Sequence, residues 1–158
     1  MSVQINYNNI ASKRTPHNVV FFVDERFNIS GIKKYISNSD YYYTQDLLKT
    51  KDLKEKLILA EINSKKKIIL VSIEKNIKHF EAENLGGKFY SFLKNIKTNN
   101  FIVNTDFMPS KLKNFVGHFL HGLKLKSYIF DKYKTKKNKR KITFFIVGKN
   151  IPSKIDQL

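Results

Sequence analysis

The amino-acid sequence predicts an α/β fold: a mixed, mostly parallel sheet sandwiched by helices. Short apolar runs typical of buried strands alternate with longer stretches whose apolar residues recur at helical spacing. From Ile68 to Val147 these patterns follow the order strand, helix, strand, helix, strand, which favours parallel strands joined by crossover helices. At 158 residues the chain has the length of one domain.

Six runs have the length and composition of strands. They are Val3 to Tyr7, Val19 to Val23, Leu57 to Ile62, Ile68 to Ile73, Phe101 to Asn104 and Ile142 to Val147.

Three stretches are predicted to be helical. Ile32 to Ile36 is short and follows Ser30, which we expect to be its N-cap. His79 to Ile96 and Lys111 to Leu125 each keep their apolar residues on one face. The second of these long helices follows a Pro-Ser pair, a typical helix start, and is the clearest of the three.

The pair Gly86-Gly87 lies inside the helix predicted from His79 to Ile96. A phosphate-binding loop would need further glycines at fixed spacing, and the sequence has none there. Because each glycine costs a helix up to about 1 kcal/mol relative to alanine, we expect close packing of this helix on the sheet.

The ordered domain is predicted to cover residues 1–149, and residues 150–158, which are polar and contain one proline, to begin a linker. The lysine-rich stretch from Lys132 to Lys141 is predicted to be an exposed loop. The N-terminus lacks the apolar core of a signal peptide, and the apolar runs are too short to span a bilayer. With no cysteine in the chain, these features predict a cytoplasmic protein without a membrane partner.

The net charge of +17 allows two interpretations. Clustered cations bind nucleic acid by releasing counterions from phosphates. However, nearly all of the charge is lysine, whereas specific contacts favour arginine, and the chain has only Arg14, Arg26 and Arg140. The alternative is a solvated surface enriched in lysine by an A/T-rich coding sequence.

Side chains suited to catalysis are few. There is no cysteine and no Gly-x-Ser-x-Gly motif for a nucleophile. His118 and His121 lie on neighbouring turns of one helix but lack a third metal ligand at suitable spacing. Glu81 and Glu83 are two residues apart, so they face different directions, and we expect them to stabilise the start of their helix. The sequence therefore predicts no catalytic, cofactor-binding or metal-binding residue.

The run from Gly117 to Lys137, GHFLHGLKLKSYIFDKYKTKK, resembles the segment that closes the N-terminal domain of the leucine aminopeptidase (cytosol aminopeptidase) family. The matching positions are Gly122, Leu123, Ser127, Tyr128, Phe130, Asp131, Tyr133 and Lys134. Lys67 to Ile73, with Glu83 to Lys88 after it, resembles the central strand and following helix of the same domain. The resemblance covers roughly residues 57–149. It departs at His121, where the family has glutamate, and at Ser72-Ile73-Glu74, where the family has glycine.

The resemblance implies a macro-domain-like fold for this chain and a larger parent protein. In the family, the N-terminal domain belongs to a cytosolic homohexamer. A separate catalytic domain holds two divalent metals, zinc or manganese, and releases N-terminal amino acids from peptides. The family's Asn-Thr-Asp-Ala-Glu-Gly-Arg motif is not continued after Asn104-Thr105-Asp106, which we interpret as a turn. The resemblance therefore implies a noncatalytic domain that serves assembly and substrate access, whose partner is the parent catalytic domain.

We do not expect this chain to bind ADP-ribose, which is the activity of macro domains. No glycine-rich phosphate loop follows a strand in this chain.

The alternative function is a basic nucleic-acid-binding module, and some bacterial members of the family bind DNA. The candidate phosphate-binding residues are Lys132, Lys134, Lys136, Lys137, Lys139, Arg140 and Lys141. Tyr128, Phe130 and Tyr133 could stack on bases. The competing interpretation is that these rings bury against the sheet.

Overall fold

The computed structural model describes residues 2–7, 18–51, 54–105, 114–133 and 141–148. It contains six strands, β1 Ser2–Tyr7, β2 Asn18–Val23, β3 Leu57–Glu61, β4 Lys67–Ser72, β5 Asn100–Asn104 and β6 Lys141–Val147. The α-helices are α1 Asn38–Thr50, α2 His79–Leu93 and α3 Phe115–Tyr133, and a 3-10 helix spans Ser30–Lys34.

The six strands form one sheet in the order β1-β6-β5-β2-β4-β3. Every neighbouring pair is parallel except β3 and β4, which are antiparallel. The β3–β4 connection is a tight turn in which the side chain of Asn63 accepts hydrogen bonds from the backbone of Lys65 and Lys66, at 2.8 and 2.9 Å. The predicted mixed, mostly parallel sheet is confirmed.

Helices cover the sheet on two sides and divide the core into two clusters. On β2, the alternate residues Val20 and Phe22 belong to the cluster under α2 and α3, whereas Phe21 and Val23 face α1 and the 3-10 helix. All four side chains are fully buried. A strand that is buried on both faces consists of consecutive apolar residues, so the sequence alone was enough to predict β2. The predicted sandwich of helices around the sheet is confirmed.

Each predicted strand agrees with the structure to within one residue at either end.

The predicted helix Ile32 to Ile36 is wrong in type and in place. The chain forms a 3-10 helix over Ser30–Lys34, its N-cap is Ile29, and Ser30 instead donates its N–H to Asn28. The helix α1 was missed, although Ser37 caps it with a hydroxyl that accepts the N–H of Asp40 at 3.2 Å.

The helix α3 is longer than predicted. It continues past Leu125 to Tyr133, so Lys132 and Tyr133 are helical and not the start of a loop, and Lys141 already belongs to β6. Residues 134–140 of the predicted loop, residues 111–113 of the predicted helix start and the tail after residue 148 lie outside the described residues. The domain boundary at Lys149 stays a prediction. In the described part of the chain, no helix combines the length and the hydropathy needed to cross a bilayer.

Gly86 packs against a helix and not, as predicted, against the sheet. A Cβ at Gly86 would overlap the carbonyl oxygen of Phe119 in α3 and lie 2.9 Å from the backbone nitrogen of Leu123. Gly122 of α3 approaches the backbone of Glu83 in the same way. The two crossover helices therefore run side by side in the same direction with their backbones in direct contact.

Candidate functional site

The lysine-rich candidate residues fall mainly outside the described part. Lys141 is exposed at the start of β6, and the backbone of Lys132 lies in the last turn of α3. Lys134, Lys136, Lys137, Lys139 and Arg140 lie outside the described residues. The role of all seven residues in binding nucleic acid stays a prediction.

The aromatic residues near this run are described only in part. Tyr128 is 67% exposed, so the interpretation that its ring buries against the sheet is wrong for this residue. The side chains of Phe130 and Tyr133 lie outside the described residues.

The carboxyl edge of the parallel strands is where open α/β sheets bind ligands. Here Asp24, just after β2, accepts the N–H groups of Arg26 and Asn28 at 3.1 and 2.9 Å, and its carbonyl accepts the Ser72 hydroxyl. Just after β5, the hydroxyl and N–H of Thr105 both donate to the carbonyl of Val147, at 2.7 and 2.9 Å. These polar groups stabilise loops and strand ends. Asn104 ends β5 and Thr105 follows it, which agrees with the interpretation of these two residues as the end of a strand. Asp106 lies outside the described residues.

His79 of α2 and His118 of α3 contact each other. The ring of His118 stacks on His79 at 4.1 Å between centroids, and its Nδ1 lies 3.8 Å from Oε1 of Glu83. His121, one turn further along α3, is exposed. Across the described ranges no three His, Cys, Asp or Glu side chains come together in a way that could hold a metal ion.

The two glutamates near the start of α2 have different roles. Glu81 accepts the N–H of Lys78 at 3.3 Å, which stabilises the first turn as expected. Glu83 instead contacts His118, so its expected role at the helix start is wrong in part.

A groove of about 510 Å³ runs along the solvent side of α2 and α3. Gly87 and Gly122 form part of its lining, and a Cβ at Gly87 would meet only the side chain of Lys126. Leu125 and Ile129, one helical turn apart on α3, line the groove while remaining 47% and 43% exposed. The groove therefore has an apolar wall in contact with water.

Two lysines and one glutamate are the charged residues that line this groove. Lys88 of α2 is exposed on one side, and the aliphatic stem of Lys126 lies 3.8 to 3.9 Å from where a Cβ of Gly87 would be. The single carboxylate of the lining, Glu83, already contacts His118. Sequence reasoning missed this groove because it ended the predicted helix at Leu125, whereas α3 continues to Tyr133. The sequence did contain a sign of the groove: Leu125 and Ile129 are apolar and four residues apart, but they lie on a different face of the helix from the buried Phe119 and Leu123.

No family model and no curated protein matches the sequence. Solved structures do match the fold. A mutant of tomato leucine aminopeptidase aligns with a TM-score of 0.61 and 12% identity, covering 99% of this chain and 34% of that chain. The macrodomain of Thermus aquaticus DarG aligns with a TM-score of 0.57 and 5% identity, covering 94% of this chain and 100% of that chain.

These likenesses concern the fold, because both identities are far too low to carry a function. The chain spans about a third of the length of the tomato enzyme, and the similarity is to its N-terminal region. The whole length of a macrodomain is matched as well. The predicted macro-domain-like α/β fold is confirmed, and the resemblance to leucine aminopeptidases holds at the level of the fold.

Proposed function

We propose that this chain is the noncatalytic N-terminal domain of a leucine aminopeptidase and serves assembly and substrate access in that enzyme. The observation that carries the proposal is the alignment of nearly the whole chain with one third of a leucine aminopeptidase. The sequence resemblance from Gly117 to Lys137 supports the same assignment independently, because it rests on side chains and not on backbone shape.

The contacts of the polar residues agree with a noncatalytic role. Asp24 and Thr105 hold loops and strand ends at the carboxyl edge of the sheet. The cluster of His79, His118 and Glu83 joins two helices. These contacts hold loops, strand ends and helices together, which is the role expected in a domain that leaves catalysis to another part of the enzyme.

The parent protein would be a cytoplasmic homohexamer. Its catalytic domain would hold two divalent metals, zinc or manganese, and cleave N-terminal residues from peptides.

Mass spectrometry of the native polypeptide that carries this sequence tests the proposal. We expect a chain roughly three times longer, as the one-third coverage implies, that hydrolyses leucine p-nitroanilide with added Mn²⁺. The recombinant 158-residue chain should not hydrolyse this substrate. A native polypeptide limited to these residues, or hydrolysis by a clean preparation of the short chain, would refute the assignment.

A second candidate function is nucleic-acid binding, and the exposure of Tyr128 favours it. The ring of a tyrosine that is 67% exposed, on a chain of net charge +17, can stack on an unpaired base while lysines neutralise phosphates. The affinity for an oligothymidylate should fall steeply with salt, and replacing the lysines of the run from Lys132 to Lys141 by glutamine should flatten that dependence. The absence of binding at low salt would end this candidate.

A further inference from the structure

We propose that this chain forms a symmetric dimer in which β3 pairs with β3 of a second copy, antiparallel and centred on Leu59. The six-stranded sheets of the two copies then join edge to edge into one continuous sheet. The pairing needs no catalytic domain, so it holds or fails separately from the proposed function.

One edge of β3 is occupied by β4 and the other is open. β3 is the last strand of the sheet. The N–H of Ser72 donates to the carbonyl of Lys56 at 2.8 Å, and the N–H of Ile62 donates to that of Lys66 at 3.0 Å. In the antiparallel register of β3 and β4, the backbone groups of the even-numbered residues of β3 therefore face β4.

The outer edge of β3 presents the backbone groups of its odd-numbered residues, Leu57, Leu59 and Glu61. Within the described part of the chain, no hydrogen bond reaches these outward N–H and C=O groups. Natural edge strands usually avoid pairing through lysine, proline or a bulge. β3 contains neither lysine nor proline, and its register with β4 is continuous, so its outer edge is a template for another strand.

The spacing of the outward groups suits a second copy of the same strand. With Leu59 opposite Leu59, Leu57 of each copy lies opposite Glu61 of the other. Each of these pairs exchanges two hydrogen bonds, so every outward group of both strands finds a partner. Any other centre leaves part of β3 outside the ladder. Leu57 and Leu59, which are only partly buried against the core, also gain Leu59 of the second copy as an apolar neighbour.

Charge permits this approach although the whole chain carries +17. Residues 54–66, which contain β3 and its flanks, include four lysines and two glutamates. Lys56 lies 3.2 Å from Glu74, and Lys66 forms an ion pair with Asp40, so these two carboxylates bring the local sum to zero. Exposed charges further apart than about 8 Å are largely screened at physiological salt. Lysines elsewhere on the two copies therefore do not prevent the pairing.

Engineered cysteines test the register, because the chain contains no cysteine of its own. The Cα atoms of a hydrogen-bonded antiparallel pair are about 5.5 Å apart, which suits a disulfide. Leu59→Cys should therefore cross-link into a dimer under mild oxidation. Leu57→Cys is the matched control on the same strand. It should not cross-link, because an offset of four residues separates the two copies of position 57 by about 14 Å.

A mixture of two variants provides a second reading of the register. Leu57→Cys and Glu61→Cys chains should each stay largely uncross-linked alone. Mixed together they should give at least about tenfold more cross-linked dimer on a non-reducing gel, because positions 57 and 61 lie opposite each other in the pair. This gain also shows that both variants fold.

Proline at position 61 measures the contribution of the backbone hydrogen bonds. Glu61→Pro removes the outward N–H that each copy donates to Leu57 of the other and leaves the bonds to β4 in place. The loss of two bonds per dimer should weaken dimerisation about tenfold in sedimentation equilibrium. Glu61→Ala keeps the N–H and should change the dissociation constant by less than about threefold.

Three results would overturn the proposal. One is a chain that stays monomeric up to about 1 mM, a concentration at which even a weak complex is half formed. Another is equal cross-linking of Leu57→Cys and Leu59→Cys, which indicates parallel pairing or random collision. The third is a dimer that resists Glu61→Pro and forms no disulfide at position 59, which places the contact on another surface.

Discussion

Gly86 of α2 lies directly against the backbone carbonyl of Phe119 in α3, with no room for a side chain between them. Gly122 of α3 has the reciprocal relationship with Glu83 of α2. The two positions fix how closely these helices approach, and the buried ring of Phe119 then packs between Phe22 and Phe89 at centroid distances of 5.1 and 5.3 Å. The glycines thus determine the packing of the aromatic core.

Gly86→Ala should lower the free energy of unfolding by about 2 kcal/mol or more, because a Cβ there must push α3 away from α2. The neighbouring Gly87→Ala is the matched control. A Cβ at Gly87 meets only the Lys126 stem at ordinary contact distance, so the better helix propensity of alanine should stabilise the protein by up to about 1 kcal/mol. Urea denaturation of the two variants measures both effects.

The test is that Gly86→Ala lowers the free energy of unfolding whereas Gly87→Ala raises it. If Gly86→Ala and Gly87→Ala stabilise the protein equally, the helices do not approach as closely as described. Gly122→Ala should behave like Gly86→Ala, since its Cβ would overlap the backbone of Glu83.

The strands could be predicted from the sequence because their burial leaves a direct pattern. Val20 to Val23 are fully buried on both faces, so the run contains no polar residue. The helix α1 left a weaker pattern. Its three consecutive tyrosines include one buried ring, Tyr41, and two exposed ones, Tyr42 and Tyr43, which hides the helical spacing.

The site was harder to predict because it depends on which helices become neighbours. Gly86 and Gly122 are 36 positions apart, and no local pattern shows that each faces the other helix. The length of α3 was underestimated for a related reason. Beyond Leu123 the buried stripe continues with the small polar Ser127, at 5% exposure, which does not resemble a core residue.

The ion pair between Asp40 and Lys66 links α1 to the β3–β4 turn. The side chain of Asp40 is 9% exposed and that of Lys66 is 32% exposed. Lys66→Met should lower the free energy of unfolding by about 1–3 kcal/mol, because it leaves a buried carboxylate without its cation. The estimate stays below that for a fully buried pair because Lys66 is partly solvated.

The exposed pair of Lys49 and Asp46, at 3.9 Å, is the control for that change. Lys49→Met should alter stability by less than about 0.5 kcal/mol. Adding Asp40→Asn to Lys66→Met should recover part of the loss, since the amide carries no charge. Simple additivity of the two changes in a thermal denaturation cycle would show that the pair is not coupled.

Ser37 provides the N-cap of α1 through its hydroxyl, which accepts the N–H of Asp40. Ser37→Ala should cost about 1 kcal/mol, because that N–H loses its partner at the helix start. Ser37→Asp should retain most of the stability and add a favourable charge near the positive end of the helix. Guanidinium denaturation should rank Ser37→Asp close to the unsubstituted protein and Ser37→Ala below it; the reverse order would exclude a capping role.

Thr105 closes the end of β5 onto β6, because its hydroxyl and its N–H both donate to the carbonyl of Val147. The side chain is fully buried, so Thr105→Val keeps the shape of the core but removes the hydroxyl donor. The loss should be about 1 kcal/mol, the net contribution of one such hydrogen bond, since the N–H of residue 105 can still donate.

Thr143→Val is the control, because Thr143 is only half-buried on β6 and its main-chain bond to Asn99 does not involve the side chain. The stability of the Thr143→Val variant should change by less than about 0.5 kcal/mol.

Differential scanning fluorimetry with and without Mn²⁺ then separates a structural role of Thr105 from a metal-binding one. A structural role predicts a lower melting temperature for Thr105→Val and the same small response to Mn²⁺ as in the unsubstituted protein. An unchanged melting temperature together with a lost Mn²⁺ response would instead make Asn104-Thr105-Asp106 a metal motif and contradict its interpretation as a strand end and turn.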